Sequence, residues 1–396
     1  MSNKHFLIAG AGIGGLSAAL FLSRIGVRVG ILEYAEQASE SGAGIQLSPN
    51  AMRQLAALGL RDAVLRHASQ PQSIAVRDVA SGRTLSRMLL GAGVQKRYGE
   101  TYCTLRRADL QAVLLQAVQE QPLINLQWGC AVQSYVQQEQ GVTVVTRQGQ
   151  HLQADGLIGA DGLWGRVRTQ LLGDVPPRMT GHAAFRTMLS AEQVPDDLRH
   201  NEIAVWWGHR VHVVSYPVDS GQFWNVVVLA QTPDVTASTQ DSAMHQGWSL
   251  DASTQDVRRA LGHTCEPLCS LIEIPTAWKR WNLFDRPAVT CWGEGATSLL
   301  GDAAHPMLPY LAQGAAMALE DAAVLARCVQ ATSGTAQALR QYEALRTPRT
   351  ERVVRHARRN GQIFHMRGPL ALARNAVLAL RGTQVVGLPW LYGYAG

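Results

Sequence analysis

The sequence predicts an α/β protein whose parallel sheet is built from two separated stretches of chain, with a mainly antiparallel sheet inserted between them and helices at the C-terminal end. Three observations predict it. A strand–turn–helix–strand pattern opens the chain, a strand-rich texture runs from about Pro176 to Pro275, and the strand–turn–helix texture returns at Thr297 to Leu300. The expected division is 1–175 with 276–334 as one discontinuous nucleotide-binding domain, 176–275 as an inserted substrate domain, and 335–396 as a C-terminal helical segment.

His5 to Ala9 is a short apolar run, Ile13 to Ile25 carries apolar residues at helical spacing, and Val27 to Leu32 alternates as a strand. Phe6 to Leu22 alone resembles the apolar stretch of a secretion signal. Gly10, Gly12, Gly14 and Gly15 break any helix there, so a folded β-turn-α unit is expected instead. Asp109 to Glu120 is a helix by its pattern, and Gly141 to Thr146 with Leu152 to Ile158 a hairpin followed by a strand. The inserted region offers strands at Ile203 to Trp207, Val211 to Tyr216 and Phe223 to Leu229. A long helix is expected from Gln313 to Gln330, and helices again from Thr335 to an aromatic tail, Trp390 to Tyr394.

Length and composition exclude several classes. With 396 residues, 46% of them hydrophobic, the chain can bury the cores of two domains. No segment offers about 18 uninterrupted apolar residues, so no membrane span is expected. Six cysteines without a CxxC pair point to thiols in a reducing cytoplasm; Cys265 and Cys269 lack the partner pair a metal site needs. The net charge of +6 rests on arginine, with Lys4, Lys96 and Lys279 the only lysines, and suits anionic small molecules. Arg346, Arg349, Arg352, Arg355, Arg358 and Arg359 carry no interleaved aromatics in sequence, which predicts a solvated helix face and no nucleic-acid partner. Monomer and homodimer are both open.

Three motifs carry chemistry. Gly10-Ala-Gly12-Ile-Gly-Gly15 fits GxGxxG between strand and helix: Gly10 for the tight turn, Gly12 for backbone approach to a pyrophosphate, Gly15 for close helix–strand packing. Glu33 ends the second strand, where an acid accepts from ribose hydroxyls. Gly159-Ala-Asp161-Gly162 and Leu299-Leu-Gly301-Asp302 each follow an apolar strand, and Ala312-Gln313-Gly314 opens the long helix. A GxGxxG by itself is a weak signal; with the strand, the helix and the terminal acid Glu33 in register it predicts dinucleotide binding, but not which dinucleotide.

With these motifs in order, and with Gly42-Ala-Gly44-Ile45 and Arg107-Ala-Asp109-Leu110, the sequence resembles the aromatic hydroxylases of the class A flavoprotein monooxygenases over nearly its whole length. The resemblance implies the fold of p-hydroxybenzoate hydroxylase, Rossmann-like FAD-binding domain included, and the cofactor FAD. It places Asp302 at the ribityl and pyrophosphate region, Asp161 near both FAD and the reduced nicotinamide, and Arg107 on the flavin side chain. A helix starting near Gln313 then aims its positive end at the flavin, and Gly314 permits close backbone approach. Gly165 stands where the family has Ser, which predicts a lost polar contact. Within the family the sequence resembles hydroxylases of 6-hydroxynicotinate, salicylate and 3-hydroxybenzoate, through Tyr98-Gly99, Tyr102, Trp206-Trp207, His212, Tyr216 and His305 to Pro309. Gln46 stands where the pyridine hydroxylase has His, and Pro309 where the hydroxybenzoate 6-hydroxylase has Gln.

The implied reaction uses NADH or NADPH to reduce FAD, and O2 to form a C4a-hydroperoxide that the electron-rich ring attacks. His212 and Tyr216, four apart on a strand, share one face. His212 is the expected base, Tyr216 and Tyr102 orient the substrate, and His305 sits near the flavin. Gln46, Arg186 and Pro309 are expected around the substrate, Arg186 on a carboxylate. The expected FAD contacts are Gly10, Gly12, Gly15, Glu33, Gly44, Arg107, Asp161, Asp302, Gln313 and Gly314. The alternatives are an FAD-dependent reductase or dehydrogenase on the same scaffold that inserts no oxygen, and a nucleotide-sensing or nucleic-acid-binding protein without flavin.

Overall fold

In this computed structural model, residues 4–38, 43–173, 176–232, 250–287, 289–381 and 388–395 are described; the Gly42 of the expected motif lies outside them. Strands flanked by helices on both faces are apolar throughout, and β1 (His5–Ala9) and β2 (Arg28–Leu32) bury Phe6, Leu7, Ile8, Val29 and Ile31. They belong to a six-stranded sheet of order β18 (Gly293–Glu294), β19 (Thr297–Leu299), β11 (Gly156–Gly159), β1, β2, β7 (Ile124–Gln127). Ile8 lies between Ile31 and Ile158 in parallel register, and Ile158 pairs in turn with Ser298. Remote stretches of chain therefore close one sheet.

The second sheet has eight strands, ordered β16 (Leu250–Ala252), β17 (Trp278–Asp285), β12 (Arg178–Ser190), β15 (Phe223–Gln231), β14 (Val211–Val218), β13 (Glu202–Gly208), β4 (Ser73–Asp78), β5 (Thr84–Leu89). It draws on residues 73–89 and 278–285 as well as on the stretch between 176 and 275. The reason is edge satisfaction: β13 and β12 would otherwise expose unpaired backbone groups, and β4 (parallel) and β17 (antiparallel) cover them. A smaller sheet of β8 (Val132–Gln138), β9 (Gly141–Thr146) and β10 (His151–Ala154) splits the expected hairpin-and-strand run between two sheets.

The helices used below are α1 (Ile13–Arg24), α2 (Pro49–Ala57), α3 (Arg107–Gln119), α4 (Arg166–Leu172), α5 (Thr254–Leu261), α6 (Glu266–Glu273), α7 (Gly314–Ala331), α8 (Thr335–Phe364) and α9 (Gly368–Arg381). Helices α5 and α6 cover the back of the large sheet, where Phe185, Trp206, Val213 and Val226 meet Val257, Leu268 and Leu271. By strand alternation the front face carries His182, Ala184 and Arg186 on β12, His212, Val214 and Tyr216 on β14, and Asn225, Val227 and Leu229 on β15. Against that front lies a two-stranded ribbon, β3 (Gly44–Leu47) with β6 (Cys103–Arg106), tied on by Gly44 N–H donating to Asn225 Oδ1 at 2.8 Å. Among the described residues no helix is long and apolar enough to cross a membrane.

The arginine run on α8 departs from the expected solvated face. Arg346 is fully buried, its Nη1 2.8 Å from Glu320 Oε2 and its Nε 2.6 Å from Asp321 Oδ1, and Arg349 Nε is 2.6 Å from the same Glu320 oxygen. Glu320 and Asp321 are consecutive and buried on α7, and buried carboxylates require counter-charges. Aromatic rings do interleave, but in space: Arg349 lies 3.7 Å over Tyr394 and Arg352 3.9 Å over Trp390, both from the C-terminal tail.

Candidate active site

The glycine turn after β1 is shaped by close approach. Gly10 has φ +103°, and a Cβ there would stand 2.6 Å from the Ala160 carbonyl oxygen. One at Gly15 would be 2.0 Å from the Gly10 carbonyl oxygen, so helix and turn touch backbone to backbone. At Gly12 no atom lies within 4 Å of the Cβ position, which leaves open space in front of the α1 N-terminus. Gly12 has no side chain to cap α1, so the first-turn N–H groups are available to an anion. Glu33, almost buried at the end of β2, accepts from Ala11 N–H at 2.6 Å and Ala35 N–H at 2.9 Å and so braces the mouth of the turn.

Asp302 approaches from the other side. Its side chain is exposed, and a Cβ on Gly314 would be 3.9 Å from its Oδ1, so it faces the N-terminus of α7. Surrounding protein raises its carboxyl, opposed by the charges of His305 and of Arg107 at the start of α3. The turn into α7 is strained: Ala312 has φ +52°, the left-handed region that a side chain disfavours. These features fit FAD. An open glycine cradle with unused amides suits the pyrophosphate, Glu33 the ribose, and Asp302 with Arg107 the linker between it and the ring.

Two expected contacts take a different form. The Gln313 amide donates to Ser48 Oγ at 2.8 Å and accepts from Asn50 Nδ2 at 3.1 Å, so this 2%-exposed side chain ties α7 to α2 rather than facing the cradle. His305 is tied to α7. Its Nε2 lies 2.6 Å from Asp321 Oδ2, which also accepts from Gly301 N–H at 3.1 Å, so His305 anchors the Gly301-Asp302 loop. Burial pushes the Asp321 carboxyl up, but the charges of His305 and Arg346 prevail and hold it below the usual range.

On the front face of the large sheet the expected substrate residues fall into two groups. In the first, Tyr102 donates to Gln46 Oε1 at 2.7 Å, Gln46 also bonds the Tyr216 hydroxyl, and the Arg186 charge is felt at Tyr216. Burial raises both tyrosine hydroxyls, so both are protonated donors at neutral pH. Gly44 admits this packing: a Cβ there would meet Asn225 Cγ at 2.6 Å and Tyr216 Cε2 at 2.8 Å. Arg186 stands on the same face, with its guanidinium 4.9 Å over Trp281.

The second group surrounds His212, whose Nδ1 is 3.0 Å from His365 Nε2. His182 hydrogen-bonds the Tyr310 hydroxyl, and the rings of Tyr310 and His212 are 5.2 Å apart. Burial lowers His212 well below its ordinary value, with His365 and His182 adding to the effect. Pro309 is exposed immediately before the buried Tyr310. Sequence reasoning missed His182, Asn225, Tyr310 and His365. The first two share strand parity with Arg186 and Tyr216, a usable sign; the last two join the site only through packing.

The chain matches the FAD binding domain family over residues 4–357. It is 36% identical over 392 residues to 3-hydroxybenzoate 6-hydroxylase of Klebsiella oxytoca, covering 98% of this chain and 96% of that protein. It is 34% identical over 350 residues to 6-hydroxynicotinate 3-monooxygenase of Bordetella bronchiseptica, covering 88% and 89%. The crystal structure of Klebsiella pneumoniae HpxO with FAD and uric acid superposes with a TM-score of 0.83 at 27% identity, covering 97% of this chain and 94% of that one. An FAD cradle on this fold, an inward-facing sheet of histidine, tyrosine and arginine, and these relatives agree, and the chain belongs to the FAD binding domain family as an FAD-dependent aromatic monooxygenase.

Proposed function

We propose that this monooxygenase hydroxylates a small phenolic carboxylate, with NADH or NADPH as electron donor and O2 as oxygen source. The observation that carries the reading is the placement of Arg186 and His212 on one face of the large sheet, with Val214 and Val227 between them. Two strand spacings and two residues separate them, roughly 12 Å between Cα atoms from ~4.8 Å per strand and ~3.3 Å per residue. Their side chains, reaching inward, span the length of a hydroxybenzoate. Arg186 would pair with the carboxylate, and His212 Nε2, the nitrogen His365 does not engage, would take the ring-hydroxyl proton. The curated relatives' names, 3-hydroxybenzoate and 6-hydroxynicotinate among their substrates, support that class.

FAD would be held by the turn of Gly10, Gly12 and Gly15, by Glu33, and by Arg107, Asp161, Asp302 and the backbone of Gln313 and Gly314. Bound there, it supplies two-electron reduction by NAD(P)H and the activation of O2. The chain's own part is to orient the ring and keep water out. Tyr102 and Tyr216 position the substrate from the Gln46 side, Val214, Val227 and Leu229 form an apolar wall, and the positive end of α7 stabilises negative charge beside it. All six cysteines are free, which suits work in a reducing cytoplasm.

Oxygen uptake by the purified yellow protein with NADH or NADPH tests the reading, using 3-hydroxybenzoate, salicylate and 6-hydroxynicotinate. Stimulated uptake with a hydroxylated product is expected. NAD(P)H oxidation without oxygen uptake would assign the scaffold to a reductase instead.

A further inference from the structure

The proposed function leaves a proton to dispose of. His212 is 2% exposed and burial opposes its imidazolium. A phenol titrates near pH ~10 and an unperturbed imidazole near ~6.5, so transfer to His212 alone runs uphill by at least about 10³-fold. Beyond His212, its Nδ1 meets His365 Nε2 at 3.0 Å, and His365 lines a cavity of about 630 Å³ together with His182, Tyr310, Arg178 and Arg358. We propose that His365 is the positioning and relay residue of the reaction: it fixes the His212 tautomer and passes the ring-hydroxyl proton to water in that cavity.

The step balances in protons. The substrate O–H breaks as Nε2–H forms on His212, and its electron pair stays on the phenolate. The His212 Nδ1 proton moves to His365 Nε2, and the His365 Nδ1 proton leaves to cavity water. When the product's ring oxygen is reprotonated the chain runs in reverse: His212 Nε2 gives its proton to that oxygen, His365 Nε2 returns one to His212 Nδ1, and cavity water reprotonates His365 Nδ1, which restores both tautomers. His365 ends α8, and Arg374 on α9 fixes that end by donating to the carbonyls of Ile363 at 2.9 Å and Phe364 at 2.8 Å. Phe364 in turn stacks on Trp207 of β13 at 4.4 Å. Facing His365 are His212 from β14, Tyr310, His182 from β12, His209 from the turn after β13, and Arg374 from α9; burial first, then the charges of His182, His209 and Arg374, lower it to about 4. At neutral pH it is therefore a neutral acceptor that does not retain the proton.

The inference rests on His212 being the base, and the test separates the two. His365→Ala and His365→Gln are compared with His212→Ala, using 3-hydroxybenzoate. Both His365 variants are expected to keep FAD and to change KM by less than about threefold, while kcat falls about 10- to 100-fold and peroxide release rises. Imidazole is expected to restore turnover to His365→Ala through the cavity and to leave His365→Gln unchanged. Without NAD(P)H, the ultraviolet phenolate band of bound 3-hydroxybenzoate is expected to appear at higher pH in both. If His212→Ala is impaired but His365→Gln, folded by its melting curve, hydroxylates like wild type, the relay is overturned and the base stands. If His212→Ala also retains full coupled turnover, the proposed base fails and the relay with it.

Discussion

Gly165 leaves the space that Asp161 fills: a Cβ on Gly165 would stand 2.1 Å from Asp161 Oδ1, while Asp161 Oδ2 accepts from Val167 N–H at 3.1 Å. The expected lost polar contact at Gly165 is thus replaced by a carboxylate lying over the start of α4, serving as its N-terminal cap. Burial pushes this carboxyl up to about 6, against the bonds from Val167 and Arg166. A folded-state value above the unfolded one means that stability present below about pH 4 is lost as pH rises through about 6. In the FAD-free protein, Asp161→Asn is expected to raise the melting midpoint at pH 7.5 and to leave it unchanged at pH 4. An equal rise at both pH values would show that the charge is not the cause.

Gly165→Ser follows from the same contact. The added side chain displaces Asp161 from Val167, removing a helix cap, which costs about 1 kcal/mol. Thermal unfolding of the variant is expected to shift down by a few degrees. An unshifted melt would show that Asp161 has another rotamer of equal energy.

The pair of Glu320 and Asp321 gives a larger effect. Arg346 is bonded to both, and all three are buried. Arg346→Met leaves Arg349 and His305 as their charged partners among the described residues, and breaking such a buried network costs about 3–5 kcal/mol. Because Asp321 also holds the Gly301-Asp302 loop, FAD retention is expected to fall with stability. Urea unfolding with flavin absorbance checks both at once.

These relationships show where a sequence is legible. Gly10, Gly12, Gly15 and Glu33 sit within one short β-turn-α-β unit, so their spacing encodes their geometry, and strand alternation encodes that His212, Tyr216 and Arg186 look inward. Nothing local says that Arg346 would turn from solvent toward Glu320, because the decision lies in a neighbouring helix. The same holds for residues 73–89, whose strands join β13 only to cover an open edge, and for Gln313, drawn off by Ser48 and Asn50. His365 has no periodicity to betray it. It reaches His212 because Arg374 clamps the end of α8, a contact between elements.

Glu33 makes the cofactor cradle testable. Its carboxylate accepts from Ala11 N–H at 2.6 Å inside the glycine turn, where the proposed site puts the FAD ribose. A hydrogen bond to a charged group contributes about 1.5–3 kcal/mol, so Glu33→Ala is expected to weaken FAD binding by roughly 10- to 100-fold. The ratio of flavin to protein absorbance after dialysis measures it. Full flavin retention would remove Glu33 from the site.

Arg186 puts the proposed substrate class to the test. If it holds a carboxylate, removing its charge raises KM and spares the chemistry, because the carboxylate is bound equally in the ground and transition states. Arg186→Met is expected to raise KM for 3-hydroxybenzoate by about 10- to 100-fold, the size of a charge-assisted pair, with kcat changed far less. The neutral analogue 3-hydroxybenzyl alcohol supplies the control, since its binding should be indifferent to the substitution. The guanidinium also lies 4.9 Å over Trp281, so Arg186→Lys would keep the charge but lose the flat stacking and the two-pronged contact. It should therefore fall between wild type and Met for the acid. If acid and alcohol lose affinity in parallel, Arg186 acts through packing, and the carboxylate must be recognised elsewhere on the sheet.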